Sequence, residues 1–145
     1  MNELMDTSAV WRCACANIRR ADRALTQFYD EILAPSGLYA TQFALLATLF
    51  EIAPITINRL AKIMILDRTT LTRNLELLIK QRLIHIEAGE DRRMRRVSLT
   101  EEGEQTLQGA WPLWQTAQAR VEQALSRERL DKLLAELSAV VAIIR

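Results

Sequence analysis

The sequence predicts a mainly α-helical fold of the α+β class that contains one small β-hairpin. Apolar residues recur at three- and four-residue steps along most of the chain, which is the period of amphipathic helices. Between residues 83 and 99 the pattern changes to short runs of β-branched residues around a polar loop. The chain has 145 residues and is 50% hydrophobic, so we expect a single domain over residues 1–145 with one core.

The first predicted element is a long amphipathic helix over residues 8–34. It ends at Pro35-Ser36-Gly37, where proline disfavours helical geometry at the preceding residue and glycine permits a positive φ. Its apolar stripe consists of Val10, Ala14, Ile18, Ala21, Leu25, Phe28 and Ile32. A second helix is expected over residues 41–52.

Two further helices follow, and each begins at a side chain that can cap it. Thr56 precedes a short helix over residues 57–63, and Asp67 precedes a longer helix over residues 68–81. The buried stripe of the longer helix is Leu71, Leu75 and Leu78.

The period-two segment predicts a two-stranded hairpin. Its apolar positions are Leu83, Ile84 and Ile86 on one strand, and Val97 and Leu99 on the other. The polar tip AGEDRRM joins the strands.

Two helices close the chain. Thr100 can cap a helix that continues to about residue 124, with an expected kink at Trp111-Pro112, and Ser126 can cap a last one. The apolar stripe of the last helix extends almost to the terminus and comprises Leu130, Leu133, Leu134, Leu137, Val140, Val141 and Ile144.

The element order is that of a winged helix-turn-helix, with the module at residues 41–100. Long helices at 8–34 and 101–145 flank it, and a module of about 60 residues cannot cover all their apolar stripes. We therefore predict that these helices are dimerisation helices in a homodimer. A membrane surface is disfavoured as the cover, because the last helix carries Glu128, Asp131 and Glu136.

The charge distribution indicates a nucleic-acid partner. The formal net charge is only +1, yet residues 55–96 hold ten basic and five acidic side chains, while the remainder holds nine and thirteen. Local positive charge is what phosphate neutralisation requires, although a solvated charged face would have the same composition. The N-terminus lacks a signal-peptide pattern and no long apolar run is present, so a cytoplasmic location is expected.

The helix after Asp67 has the composition of a recognition helix. Its first turns carry hydrogen-bonding and cationic side chains that could contact bases or phosphates in a major groove. These candidate DNA-binding residues are Arg68, Thr69, Thr70, Thr72 and Arg73. An ordinary polar helix face is the alternative interpretation.

The hairpin tip is the second candidate DNA contact. Arginines gathered at a tip gain little in isolation but bind well beside phosphates or in a narrow minor groove. The candidates are Asp91, Arg92, Arg93 and Arg95, and alternation along the strand predicts that only one of Arg95 and Arg96 faces DNA. A solvated turn is the alternative.

Residues 91–100, DRRMRRVSLT, resemble the D-x-R-x-x-x-x-x-L-T pattern of the MarR family of regulators. Asp91, Arg93, Leu99 and Thr100 stand in the fixed places, and Gly103 resembles that family's exit from the wing. The resemblance covers essentially the whole chain. It implies a dimer that reads pseudo-palindromic operators in double-stranded DNA, most often as a repressor. It also implies that Arg93 enters a minor groove and that Asp91 orients it. Arg82-Leu83 stands where relatives often have glycine, so the turn must form without it.

The cysteine pair admits two interpretations. In an intact helix Cys13 and Cys15 would point about 200° apart and could not bond. Some members of the family sense peroxide through a cysteine in this helix, and by resemblance Cys15 with Tyr29 and Tyr39 would form such a redox sensor. Ala40 occupies the second tyrosine's place, however, and small buried hydrophobes are the alternative.

The tryptophans also admit two interpretations. Trp11, Trp111 and Trp114 could line the small-molecule pocket that many relatives hold between the dimer helices and the winged module. They could equally be core and interface residues.

The sequence therefore predicts a DNA-binding transcription regulator, a repressor released by a small-molecule effector or by cysteine oxidation. No enzyme motif is present among the patterns considered, and neither a cofactor nor a metal is expected. The alternatives are a winged-helix protein-interaction module and a thiol redox protein, although the latter lacks a C-x-x-C motif.

Overall fold

A computed structural model describes residues 5–89, 91 and 94–144. Of residue 144 only the backbone is described. Its helices and strands are α1 (Ala14–Leu33), α2 (Ala40–Ile52), β1 (Ile55–Thr56), α3 (Ile57–Met64), α4 (Arg68–Lys80), β2 (Ile84–Glu87), β3 (Arg96–Leu99), α5 (Glu101–Leu125) and α6 (Arg127–Ile144). The fold is mainly helical with one small antiparallel sheet, as the sequence predicts.

The first helix is shorter than predicted. A separate 3₁₀ turn covers Thr7–Arg12, and Cys13 is extended, with ψ 117°. The side-chain amide of Asn17 donates to the carbonyls of Trp11 and Cys13, both at 2.9 Å. These hydrogen bonds give two backbone carbonyls next to the interruption a side-chain donor, which stabilises the non-helical turn there. The prediction of one continuous helix over 8–34 is therefore wrong before residue 14.

The sheet has three strands instead of the predicted two. In the order β1-β3-β2, Val97 of the central strand pairs with Ile55 on one side and Ile86 on the other, both antiparallel. A two-residue strand is too short to show an alternating pattern, so β1 has no signature in the sequence.

The core lies within the winged helix-turn-helix module. Helices α2, α3 and α4 pack on the sheet, and Leu107 and Ala110 of α5 close the cluster. The most deeply buried side chains are Leu33, Leu45, Leu46, Leu49, Leu60, Leu71, Leu75, Leu78 and Val97. Burial of the predicted stripe of α4 fixes which face of that helix is left to solvent.

The turn from α4 into β2 forms without glycine. Arg82 has φ 60°, and the Leu83 N–H donates to the Leu78 carbonyl at 3.0 Å. The Thr100 hydroxyl donates to the Arg82 carbonyl at 2.6 Å and accepts from the Gly103 N–H at 2.9 Å. One threonine thus ties the end of α4 to the start of α5, as well as capping α5 as predicted.

The last helix leaves most of its apolar stripe exposed in the single chain. Leu130 is buried, whereas Leu133, Leu134, Leu137 and Val141 are each exposed by more than a third. The described residues of one chain therefore cover this stripe only in part.

In the described part of the chain no single helix is long and apolar enough to cross a membrane. A span of that length and composition is reached only by counting 14–36 and 40–52 together, and these segments are bent by 73°.

Candidate nucleic-acid interface

Helix α4 presents an exposed polar face opposite its buried leucines. Arg68, Thr69, Thr72, Arg73 and Glu76 line one surface depression on this face. The predicted residues Arg68, Thr69, Thr72 and Arg73 are therefore brought together. They form an array of cationic and hydroxyl groups of the kind that can read base edges and phosphates.

Thr70 has a different position from the other predicted α4 residues. Its N–H donates to Asp67 Oδ1 at 2.8 Å, and its hydroxyl donates to Asp67 Oδ2 at 2.7 Å. The hydroxyl bond, followed by the backbone bond, lowers the pKa of Asp67. Thr70 thus belongs to the N-cap of α4, and its hydroxyl proton is not available to DNA.

Thr72 keeps its acceptor capacity. Its hydroxyl donates to the Arg68 carbonyl at 2.7 Å, which fixes the hydroxyl direction within the helix. The oxygen lone pairs can still accept a hydrogen bond from an exocyclic base amine.

The wing consists of β2, β3 and the loop between them. Its base continues the α4 surface. Arg95 lines a second groove together with Arg68, Thr72 and Glu76, so α4 and the wing share one surface. The Arg95 carbonyl accepts from the Ile57 N–H at 3.3 Å, which holds the start of β3 against α3.

Arg96 faces a different groove, which it lines with Thr56 and Arg59. Arg95 and Arg96 thus line separate grooves, as alternation predicts. Arg59 was not among the predicted residues. It comes beside Arg96 because β1 pairs with β3, and that short strand has no signature in the sequence.

The tip of the wing is described only in part. Arg92 and Arg93 lie outside the described residues. Asp91 is exposed, and its carbonyl accepts from the Met94 N–H at 2.8 Å. The roles assigned to Asp91, Arg92 and Arg93 remain predictions.

A cavity of about 730 Å³ is lined by residues of α1, α2 and α5. Its wall includes Phe43, Trp111 and Trp114, whose rings stack on one another. Trp11 is not part of this wall and is 72% exposed near the N-terminus, so its assignment to the pocket is wrong for this cavity.

Tyr29 lies at the cavity and does not reach Cys15. Its hydroxyl donates to Gln118 Oε1 at 2.7 Å; burial, and next the Glu122 carboxylate, raise its pKa. Tyr29 is fourteen positions after Cys15 in α1, which is about 21 Å along a helix. Within one chain the predicted cysteine-tyrosine network therefore does not form.

Neither the other tyrosine nor the cysteine geometry follows the prediction. Tyr39 is 65% exposed, and its N–H donates to Gln42 Oε1 at 3.0 Å at the start of α2. Cys13 precedes α1 in extended conformation, whereas Cys15 is helical and exposed. The two thiols therefore do not lie on one intact helix, and that expectation is wrong.

The fold and this surface define a winged helix-turn-helix protein. A family model described as the MarR family matches residues 38–94. The chain is 41% identical to the M. tuberculosis transcriptional regulator MosR. The crystal structure of MosR in complex with DNA matches with a TM-score of 0.81, over 92% of this chain and 98% of that one. A second MosR structure gives 39% identity and a TM-score of 0.77, over 90% and 96%.

A curated relative gives a partial match. The Bacillus subtilis (strain 168) protein YwoH, an uncharacterised HTH-type transcriptional regulator, is 31% identical over 87 residues. That alignment spans 60% of this chain and 64% of YwoH, so less than two thirds of the relative is covered. The chain belongs to the MarR family of transcription regulators.

Proposed function

We propose that the chain is a cytoplasmic, sequence-specific repressor that binds a pseudo-palindromic operator in double-stranded DNA as a homodimer. The observation that carries this proposal is the continuous exposed surface formed by α4 and the base of the wing. Arg68 and Thr72 line both its grooves, and Arg95 joins them from the start of β3. The DNA complex of MosR, 41% identical over nearly its full length, supports the proposal.

Two elements contact DNA in the proposed complex. The N-terminal half of α4 enters the major groove, where Arg68 and Arg73 donate to guanine or phosphate and Thr72 accepts. The wing contacts the DNA backbone and minor groove through Arg95, which lies beside α4, and through the predicted residues Arg92 and Arg93. Arg59 and Arg96 add positive charge in the groove beside β1.

A homodimer would place two such surfaces on one face of the duplex. The exposed apolar stripe of α6 and exposed α1 side chains such as Ile18 and Leu25 provide the contact area. Two-fold symmetry then requires inverted half-sites, about 34–36 Å apart if they fall one helical turn from each other.

The decisive experiment measures binding to the protein's own promoter region by fluorescence anisotropy at two salt concentrations. We expect binding that weakens steeply with salt, and a slope that falls by about one for each phosphate contact removed. Arg68→Ala, Arg95→Ala and Arg93→Ala should each weaken binding about tenfold or more. Arg127→Ala on exposed α6 is the matched control and should leave binding unchanged.

The same assay separates the alternatives. A protein-interaction module or a thiol redox protein would show no salt-dependent DNA binding, and unchanged binding in all three arginine variants would refute the proposal.

The signal that releases DNA is proposed to be a small molecule in the cavity. The cavity is bounded on one side by α2, which belongs to the winged module, and on the other by α1 and α5, which extend beyond it. A ligand there can change the angle between the module and the outer helices, and hence the spacing of the two recognition helices.

Cysteine oxidation is the second proposed signal, favoured by the exposure of the Cys15 thiol. Cys13 is only partly exposed, so Cys15 should react faster with a hydroperoxide. Peroxide should then weaken DNA binding of the unmodified chain and of Cys13→Ser, but not of Cys15→Ser. Equal inertness of both thiols during DNA binding would exclude oxidation as the signal.

A further inference from the structure

The cavity between α1, α2 and α5 has an aromatic stack in its wall. The ring centroids of Trp111 and Trp114 are 4.8 Å apart with an interplanar angle of 24°. Phe43 lies 5.9 Å from Trp114 at 12° and 6.3 Å from Trp111 at 26°. Three nearly parallel rings from two helices therefore stack in the cavity wall, and a planar ring of a ligand can extend such a stack.

Part of the remaining wall is formed by small side chains. Ala40, Ala44 and Ala47 of α2 contribute only methyl groups to the lining. A volume of about 730 Å³ lies within the range of small-molecule sites. The cavity is therefore wide enough for two fused rings and a short side arm.

The described residues that line the cavity carry negative charge only. Among the described residues that line it, Glu51 alone carries a charged side chain, and no described Lys, Arg or His forms an ion pair with it. The Glu51 side chain is exposed, and it would repel an anionic ligand in the cavity without a described cation of the lining to compensate it. A cationic ligand would gain attraction both from Glu51 and from the π faces of the tryptophans.

We propose that this cavity binds planar aromatic cations, with the ring extending the stack of Phe43, Trp111 and Trp114 and the cationic group beside Glu51. The inference deepens the proposed function and rests on it, since it names the ligand class for the cavity to which we assign the signal. Aromatic carboxylates should accordingly bind more weakly than aromatic cations of the same ring system.

The test compares two probes that share a ring and differ in charge, 1-naphthylmethylammonium and 1-naphthoate. Titration calorimetry of the chain without DNA, at neutral pH, gives both affinities. We expect the ammonium to bind about tenfold more tightly than the carboxylate. It should also change tryptophan fluorescence, because Trp111 and Trp114 lie at the ring site.

Variants assign the preference to Glu51. Glu51→Gln should weaken the ammonium about five- to tenfold and bring the two probes close to equal affinity. Glu31→Gln, an exposed glutamate on α1 outside the cavity wall, is the matched control and should change neither affinity. Ala44→Phe should weaken binding of both probes by narrowing the space, with circular dichroism confirming that the variant is folded.

Three outcomes would overturn the proposal. These are naphthoate binding as tightly as the ammonium, a preference that survives in Glu51→Gln, and absence of binding by either probe. If Glu51→Gln does not fold, the unmodified chain is titrated at rising salt concentrations instead. Salt should then weaken binding of the ammonium probe and not binding of the carboxylate probe. No DNA is present in this titration, so a negative result would refute the ligand class and not the proposed DNA binding. Failure of the promoter-binding assay would likewise leave the ligand class untouched.

Discussion

Gly103 is a single residue whose missing side chain sets the packing of the wing. A Cβ at this position would overlap the Leu83 carbonyl oxygen, which is backbone and cannot rotate away. The carbonyl also accepts the Thr100 N–H at 3.0 Å, so it is held in place. Glycine is therefore required for the close approach of α5 to the start of β2.

The prediction for this contact is that Gly103→Ala destabilises the fold by about 1–3 kcal/mol, because the clash forces backbone displacement. Gly109→Ala is the matched control. Gly109 lies in the same helix with nothing within 4 Å of the place a Cβ would take, so alanine there should stabilise by roughly 0.5–1 kcal/mol. Urea unfolding of both variants at one protein concentration measures the difference. A Gly103→Ala protein as stable as the unmodified chain would contradict the close approach.

Acid sensitivity at the cap of α4 is a second prediction that concerns one side chain. Hydrogen bonds from Thr70 lower the pKa of Asp67 in the folded state, so its ionised form is stabilised by folding. This contribution is complete above the unfolded-state pKa of about 4 and is lost as the pH falls through the lower folded-state value. Relative to Asp67→Asn, the unmodified chain should thus lose stability on acidification below about pH 4.

Thermal unfolding at a series of pH values between about 7 and 3, which bracket the ordinary carboxyl range, measures this effect. Thr70→Ala removes the hydroxyl that is the largest cause of the pKa shift. In a Thr70→Ala background, the Asp67→Asn substitution should therefore change the pH profile less than it does in the unmodified chain. A pH profile identical for the unmodified chain and Asp67→Asn would refute the role of the carboxylate.

Among the elements, the turn between α3 and α4 orients the recognition helix and is strained. Ile65 has φ 53°, a conformation that β-branched residues rarely adopt. The turn is held by hydrogen bonds from the Ile65 N–H to the Lys62 carbonyl and from the Leu66 N–H to the Ala61 carbonyl. This is the pattern of a Schellman cap, whose left-handed residue is usually glycine.

We expect Ile65→Gly to stabilise the protein by about 1 kcal/mol, because it relieves the left-handed strain at an exposed position. Ile63→Gly, also an exposed isoleucine but with helical geometry in α3, should instead destabilise by roughly 0.5–1 kcal/mol. Denaturant midpoints of the two variants provide the measurement. Loss of stability in both would show that Ile65 contributes packing that outweighs its backbone strain.

The molecule as a whole combines a well-covered core with an uncovered outer surface in its described part. The winged module buries its leucines almost completely, whereas Leu134 and Val141 on α6 are 50% and 45% exposed. Contiguous apolar surface of this kind on a folded chain marks an interface. The proposed homodimer is the cover that also supplies the second recognition helix.

The corresponding prediction is that Leu134→Glu shifts the protein from dimer to monomer in analytical ultracentrifugation. Burying an unpaired carboxylate in an apolar interface costs several kcal/mol, which is enough to dissociate a dimer at micromolar concentration. Leu77→Glu is the control, because Leu77 is similarly exposed at 52% but lies on α4, away from α6. An unmodified chain that sediments as a monomer would contradict the dimer itself.

Elements whose signals are local could be predicted from the amino-acid sequence. Asp67, Thr56 and Thr100 mark helix starts by their own hydrogen bonds, and the leucine stripe of α4 determines which of its faces is exposed. Four of the five predicted α4 contacts could therefore be placed on one surface from periodicity. The exception, Thr70, is explained by a hydroxyl that can serve either the cap or DNA.

Features that depend on contacts between residues distant in sequence could not be predicted from the sequence. They are seen only in the folded chain. Strand β1 exists because Ile55 meets Val97, and this pairing brings Arg59 beside Arg96. The aromatic stack joins α2 to α5 at the cavity that Glu51 also lines, and it likewise has no local sequence pattern. At the break before α1, the side-chain amide of Asn17 donates to the Trp11 carbonyl, six residues earlier in the chain. Periodicity reports the face of an element, whereas contacts between elements are set by packing of the whole chain.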